Sequence, residues 1–231
     1  MKKIILFTAA LLVAFITNAQ FDIRVSGGIN MLSLTNDYDG SADMNGQDYK
    51  VNAKARGGYN LGGSITFGKN LYISPGVYWT TINLNVVTES TDPNDVKSYE
   101  NSPKVNTISV PLHIGVRFMD PTKENLINAR LFVGVTGHHV ISVKDDGYTY
   151  TDNNGKEVSV IHKKDDYESM ITTFDMGLGI DVGPVFADAG YKIGLSPLFD
   201  KPGNNITANM FYINIGLRLG FFSEETSSSS F

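Results

Sequence analysis

Near its C-terminus the chain reads Met210-Phe-Tyr-Ile-Asn-Ile-Gly-Leu-Arg-Leu-Gly-Phe-Phe222. Phe211, Ile213, Ile215, Leu217, Leu219 and Phe221 fall on one parity, and Tyr212, Asn214, Gly216, Arg218 and Gly220 on the other. Successive side chains of a strand point to opposite faces, so this segment has two unlike environments. An unbroken row of large apolar side chains suits lipid, and the arginine and asparagine opposite suit a wet interior. Open sheet edges are not tolerated in hydrocarbon, so such a strand predicts a closed transmembrane barrel.

Eight runs of alternating character are legible, at about residues 21–34, 53–67, 71–87, 105–118, 129–144, 171–182, 185–198 and 210–222. The fourth is the cleanest internal one: Ile108, Val110, Leu112, Ile114, Val116 and Phe118 oppose Thr107, Ser109, Pro111, His113, Gly115 and Arg117. In the third, Ile73, Val77 and Trp79 share a parity while Ile82, Leu84 and Val86 take the other. A β-bulge near Thr80 and Thr81 is expected to reconcile them. The spacers 68–70, 119–128 and 183–184 are short or moderate, whereas 35–52, 88–104, 145–170 and 199–209 are longer and polar. This alternation predicts an all-β fold, an eight-stranded antiparallel up-and-down transmembrane β-barrel with periplasmic termini and extracellular long loops. Asn154-Gly155, flanked by alternating residues, is a type I′ turn signal. It is expected to tip an external hairpin that continues the fifth and sixth strands and offers Tyr148, Tyr150 and Tyr167 as contact residues.

The N-terminus agrees with this location. Lys2 and Lys3 precede an apolar run over residues 4–16, and Thr17-Asn18-Ala19 ends it. This is the order of a secretory signal peptide, and 13 apolar residues are too few for a spanning helix, which needs about 20. Residues 1–19 are therefore expected to be removed, leaving 20–222 as the barrel and the Ser-rich 223–231 as a disordered tail. Without Lys2 and Lys3 the basic count falls from 19 to 17 against 24 acidic residues, a formal charge of −7. That balance, with no basic stripe, argues against nucleic acid as a partner. The absence of cysteine excludes disulfides and thiolate chemistry.

On the inward parity lie Arg24, Arg117, Arg130, Lys192 and Arg218, with Asp22, Asp175, Asp181 and Asp188. An eight-stranded interior is just wide enough to be filled by side chains, so these charges are expected to pair as a structural plug. An ion path or proton relay is the competing reading. Gly28, Gly62, Gly115, Gly134, Gly190 and Gly216 share that parity and are expected to make room for arginines and tyrosines opposite. Phe21, Phe67, Phe118 and Phe221 at one rim, and Tyr59, Trp79, Phe174 and Phe211 nearer the other, form an expected aromatic girdle at each interface.

Other chemistry finds little support. His138 and His139 are adjacent and must point to opposite faces of a strand, and His113 and His162 have no companions at ligand spacing, so no metal is expected. The acidic clusters around Asp37 and Asp145 lack the full calcium-loop pattern. No Gly-x-Ser-x-Gly elbow is present. Neither an enzyme nor a cofactor is expected.

Val25-Ser-Gly-Gly-Ile-Asn30, Ile108-Ser-Val-Pro-Leu112, Phe174-Asp-Met-Gly-Leu-Gly-Ile180 and the last strand together resemble the PorT-like outer-membrane β-barrel family, small barrels similar in plan to OmpA and OmpX. The resemblance implies the outer membrane of a Gram-negative bacterium, with its lipid as the first partner. Asn214, Gly216, Leu219 and Phe221 also resemble the C-terminal signal read by the barrel-assembly machinery, with nine residues following Phe222. Together these readings point to a structural or surface-interaction protein that meets an extracellular protein or glycan through its loops. The alternatives are a narrow channel for ions or small solutes, a membrane-embedded hydrolase needing a Ser/His pair within hydrogen-bond reach at the outer rim, and a soluble lipocalin-like binder with its apolar face inward.

Overall fold

A computed structural model describes residues 21–34, 40–44, 47–90, 98–119, 127–151, 157–161, 163–199 and 207–221. The strands are β1 (Phe21–Leu34), β2 (Gly40–Met44), β3 (Gln47–Phe67), β4 (Leu71–Ser90), β5 (Ser98–Asn101), β6 (Lys104–Arg117), β7 (Ile127–Lys144), β8 (Tyr148–Thr151), β9 (Glu157–Val160), β10 (Met170–Val182), β11 (Val185–Gly194) and β12 (Ala208–Phe221). Eight of them close on themselves in the order β3-β1-β12-β11-β10-β7-β6-β4, and β4 pairs back onto β3. Every pairing is antiparallel. Strand and turn residues at one end include Gly68 and Gly183, whose φ values of 115° and 57° only glycine adopts without strain. We call this the turn end and the opposite one the loop end.

The outer surface is apolar. Outward residues are apolar, glycine or proline over 21–31, 59–67, 71–79, 108–118, 127–135, 174–182, 185–193 and 211–219. Each stretch is nine to eleven residues long, the length with which a tilted strand crosses hydrocarbon. The sense of this pattern is opposite to that of a soluble lipocalin-like cup, whose polar face would be outside.

Past these stretches the polarity inverts. At the loop end Leu32, Ile82, Leu84, Val105, Val140, Ile171, Ala208 and Met210 point inward and are buried, while Ser33, Asn83, Lys104 and Asn209 stand outside on the same strands. The expected bulge at Thr80–Thr81 is absent. Parity runs unbroken on β4 from Tyr72 through Thr80 to Leu84, and the register against β6 is continuous. Ile82 and Leu84 therefore fill the barrel and do not meet lipid. The irregularities lie on neighbouring strands instead, at Gly57–Gly58 of β3 and at Ile141 of β7.

Four further expectations change. The spacers at 35–52 and 88–104 contain β2, the first residues of β3, and β5. Above the membrane no lipid-facing row exists to mark a strand, so period two disappears from the sequence there. The seventh barrel strand stops at Gly194, because Leu198 turns into the barrel mouth. The hairpin β8–β9 is a separate two-stranded sheet rather than a continuation of β7 and β10. Between β9 and β10 a 3-10 turn at Lys164–Asp166 leads to Tyr167, which is buried against the inner apolar cluster and not on the outer surface. Asn154 and Gly155 lie outside the described residues, as do the proposed leader over 1–19 and the tail over 223–231.

Leu178 is at the centre of its outward stretch on β10 and is 54% exposed. Leu178→Arg is expected to lower folding stability in lipid vesicles by about 2–4 kcal/mol, the cost of a cation near the bilayer midplane. Urea-induced unfolding of the vesicle-inserted protein measures it, and an unchanged midpoint would contradict the lipid-facing assignment.

Candidate functional site

Among the described residues, chemically versatile side chains converge in the interior, which is layered. At the turn end Asp181 of β10 accepts a forked pair from Arg24, both bonds at 3.0 Å. The same carboxylate accepts from Arg130 Nε at 3.0 Å and Arg218 Nη1 at 3.2 Å. Asp22 accepts from Arg24 Nε at 2.6 Å and from Arg117. Arg130 also donates to Asp188 at 2.5 Å, and Arg117 donates to the carbonyls of Gly68 and Lys69. The network thus ties β1, β6, β7, β10, β11 and β12 to the β3–β4 turn. Forked arginine–carboxylate bonds are charge-assisted and geometrically specific. Burial without such partners would be costly.

Aromatic rings support the cations. The Arg24 and Arg130 guanidinium groups lie 4.9 and 5.3 Å from the Phe186 ring centre, and Arg117 lies 4.9 Å from that of Tyr72. Glycines on neighbouring strands make this bulk possible. A Cβ on Gly190 would sit 2.5 Å from the Tyr212 ring, and on Gly216 2.7 Å from the Phe186 ring. One on Gly115 would overlap Tyr72, and one on Gly134 would lie 2.7 Å from His113. Gly62 holds the same relation to Tyr78, and Gly28 to Asn214.

Above the arginine layer, Asp175 accepts from Lys192 at 2.6 Å, His113 at 3.0 Å, Thr173 at 2.7 Å and from Thr136. The amine of Lys192 lies 5.2 Å from the centre of the Tyr212 ring. A void of about 60 Å³ remains between the layers, room for a few waters at about 10–15 Å³ each. Ser109 Oγ lies 2.7 Å from His138 Nδ1, and His138 Nε2 lies 3.3 Å from Thr173 Oγ1. The pairing a hydrolase requires is thus within reach, but inside the lumen rather than at the outer rim. Ser109 also donates to Thr80 at 2.9 Å. His138 is buried and His139 is exposed on the other face of β7, so the two share no ion, and no group of metal-ligating side chains occurs among the described residues.

The apolar cluster closes the loop end over this chamber. Tyr167 and Phe199 bridge by backbone pairing and stack with ring centres 5.2 Å apart, and Leu198 is fully buried beside them. Burial pushes the Tyr167 phenol far above its ordinary pKa, with Asp145 and Asp166 adding to the effect. This cap of loop side chains carries no period-two signal and was not legible in the sequence.

On the outside, Phe21 is registered between Phe67 and Phe221, a three-strand aromatic row at the turn end with Phe118 also exposed there. Tyr59, Trp79 and Phe211 are exposed toward the loop end, and Phe174 is half-buried. Tyr191, opposite Phe211, joins this row, although sequence reasoning placed it merely on the outer face. Asn214, Gly216 and Leu219 lie on β12, with Asn214 buried and Leu219 exposed.

The sequence model of the family described as outer membrane protein beta-barrel domain matches residues 17–200. Among solved structures, Ail, the attachment invasion locus protein of Yersinia pestis in complex with the heparin analogue sucrose octasulfate, aligns at 13% identity and a TM-score of 0.41, over 87% of this chain and 99% of that one. The N-terminal β-barrel domain of Pseudomonas aeruginosa OprF aligns at 10% identity and a TM-score of 0.34, over 87% and 99%. The translocator domain of the autotransporter NalP from Neisseria meningitidis does so at 8% and 0.28, over 91% of each. Among curated proteins none matches this chain.

Asp181 is the carboxylate shared by three arginines, so its charge is expected to dominate the turn-end layer. Asp181→Asn should destabilise the folded barrel by about 3–5 kcal/mol, because it leaves buried cations uncompensated. Urea titration in vesicles tests this, and a loss below about 0.5 kcal/mol would show that the layer holds without it.

Proposed function

Because the chain belongs to the outer membrane protein β-barrel domain family, we propose that it is a closed, non-conducting outer-membrane barrel whose loop end is its working surface. The observation that carries this reading is that bonded charges fill one end of the lumen and an apolar cap fills the other. A narrow tube so filled offers rigidity rather than transport. Meanwhile β3 and β4 run on past their outward apolar stretches by more than ten residues each, and carry β2 and β5 on their flanks. A rigid scaffold that lifts strands and loops away from the membrane suits recognition of a protein or glycan partner.

In this reading the loop end faces the outside of a Gram-negative cell and the termini face the periplasm, after removal of residues 1–19. Within the family the chain falls with the PorT-like barrels, on the strength of the strand motifs in β1, β6, β10 and β12. No enzymatic activity is assigned to it: the Ser109–His138 pair is buried beneath the apolar cap, out of reach of a substrate.

Reconstituted protein is expected to give no stepwise conductance in planar bilayers, whereas discrete single-channel steps would favour the channel reading. Trypsin added to intact cells is expected to cut near the exposed Lys163 and Lys164. Protection there with cleavage at Lys123 would mean that the orientation is inverted.

A further inference from the structure

Two rungs above the last lipid-facing residues of β4 and β6, positive charges line up across the outside of the barrel. Backbone register sets Arg56 of β3 opposite Asn83 of β4, Asn83 opposite Lys104 of β6, and Lys104 opposite Lys144 of β7. Arg56, Lys104 and Lys144 are all exposed. Lys104 shares its parity with Ile108 and Val110 and so stands on the outer surface. Lys144 reaches the same surface because the Ile141 bulge resets the parity of β7, leaving Val143 to pack on the inner cluster. Directly opposed side chains of this kind begin about 4.5–5.5 Å apart at Cβ.

Like charges opposed across a sheet are destabilising, and no described carboxylate offsets this pair. Neither lysine is ion-paired among the described residues. Glu100 already engages Arg56 at 3.7 Å and accepts from Asn85 at 2.9 Å. Asp145, next to Lys144 in sequence, accepts from Asn101 and from the Gly147 amide. Among the described residues no carboxylate meets the pair, which leaves it open to an anion at the outer surface.

Height identifies that anion. On β4 and β6 the last apolar rung is Trp79–Ile108, and the basic row lies four residues higher on both strands. Four residues at about 3.3 Å each, on strands tilted by roughly 35–45°, rise about 10 Å. The interfacial layer extends about 5–7 Å beyond the hydrocarbon on each side, and a lysine stem can lie back along the surface to reach into it. Both ammonium groups therefore address the headgroup layer. We propose that Lys104 and Lys144, with Arg56 beside them, bind the phosphorylated headgroup of a membrane lipid in the leaflet at the loop end, one phosphate bridging the two lysines.

The sole tryptophan, Trp79, is exposed on the same surface two rungs below and reports on occupancy. Folded protein in octyl-glucoside micelles is titrated with diphosphoryl lipid A, with phosphatidylcholine and with inorganic phosphate, following Trp79 fluorescence. Saturable binding is expected for lipid A alone. Lys104→Gln combined with Lys144→Gln should weaken it by an order of magnitude or more, given the attraction each lysine adds near a charged surface. The charge-matched pair Lys163→Gln and Lys164→Gln should leave it unchanged. Lys144→Glu puts a carboxylate opposite Lys104, and should fold in phosphatidylcholine vesicles at least as stably as the wild type yet lose lipid A binding. Full lipid A affinity in Lys144→Glu, equal losses in both glutamine pairs, an equal response to inorganic phosphate, or no saturable binding by the wild type would each overturn the proposal.

Discussion

Lipid is the solvent that the fold answers to. It offers no hydrogen bonds, so every backbone donor and acceptor at membrane depth must be satisfied by a neighbouring strand, and the sheet must close. Closing with eight strands leaves a tube just wide enough for side chains. The apolar residues are already committed to the outside, so the tube has to be filled from polar parity positions. Charged residues can occupy that space only as partners of one another, which is why Asp181 and Asp22 sit among four arginines.

Filling such a tube is also a problem of shape. Arginines can face one another across neighbouring strands, as Arg24 does Arg218 and Arg117 does Arg130, because carboxylates lie between them, but the large inward rings each cross a glycine on the next strand. Tyr72 over Gly115, Tyr212 over Gly190 and Phe186 over Gly216 are instances of one arrangement. The rings then serve as beds for the cations, Phe186 for two arginines at once. Packing and electrostatics are thereby solved by the same residues, with a void of about 60 Å³ left between the charged layers.

Where the strands leave the hydrocarbon the solvent changes and so does the rule. Outward positions become polar, inward positions become apolar, and Ile82, Leu84, Val105 and Met210 form a small core like that of a soluble protein. Both register shifts occur in this zone, at Gly57–Gly58 and Ile141. A bulge turns side chains from one face to the other without ending the strand. That turn is what brings Lys144 to the outer surface beside Lys104.

The sequence by itself determined the eight barrel strands, their inward and outward faces and the tight turns at Gly68 and Gly183. Each of these is a local consequence of lipid on one side of a pleated chain, and period two records it residue by residue. Only the tertiary structure decided which charges meet, because Arg24 and Asp181 are brought together by barrel closure and not by spacing. It also decided that Ile82 and Leu84 point inward, that β2 and β5 extend the sheet, and that Tyr167 caps the lumen. In those places water surrounds the chain on both sides, or a loop folds back on itself. No solvent boundary is then written into the alternation of side chains, and register, bulges and long-range packing set the outcome.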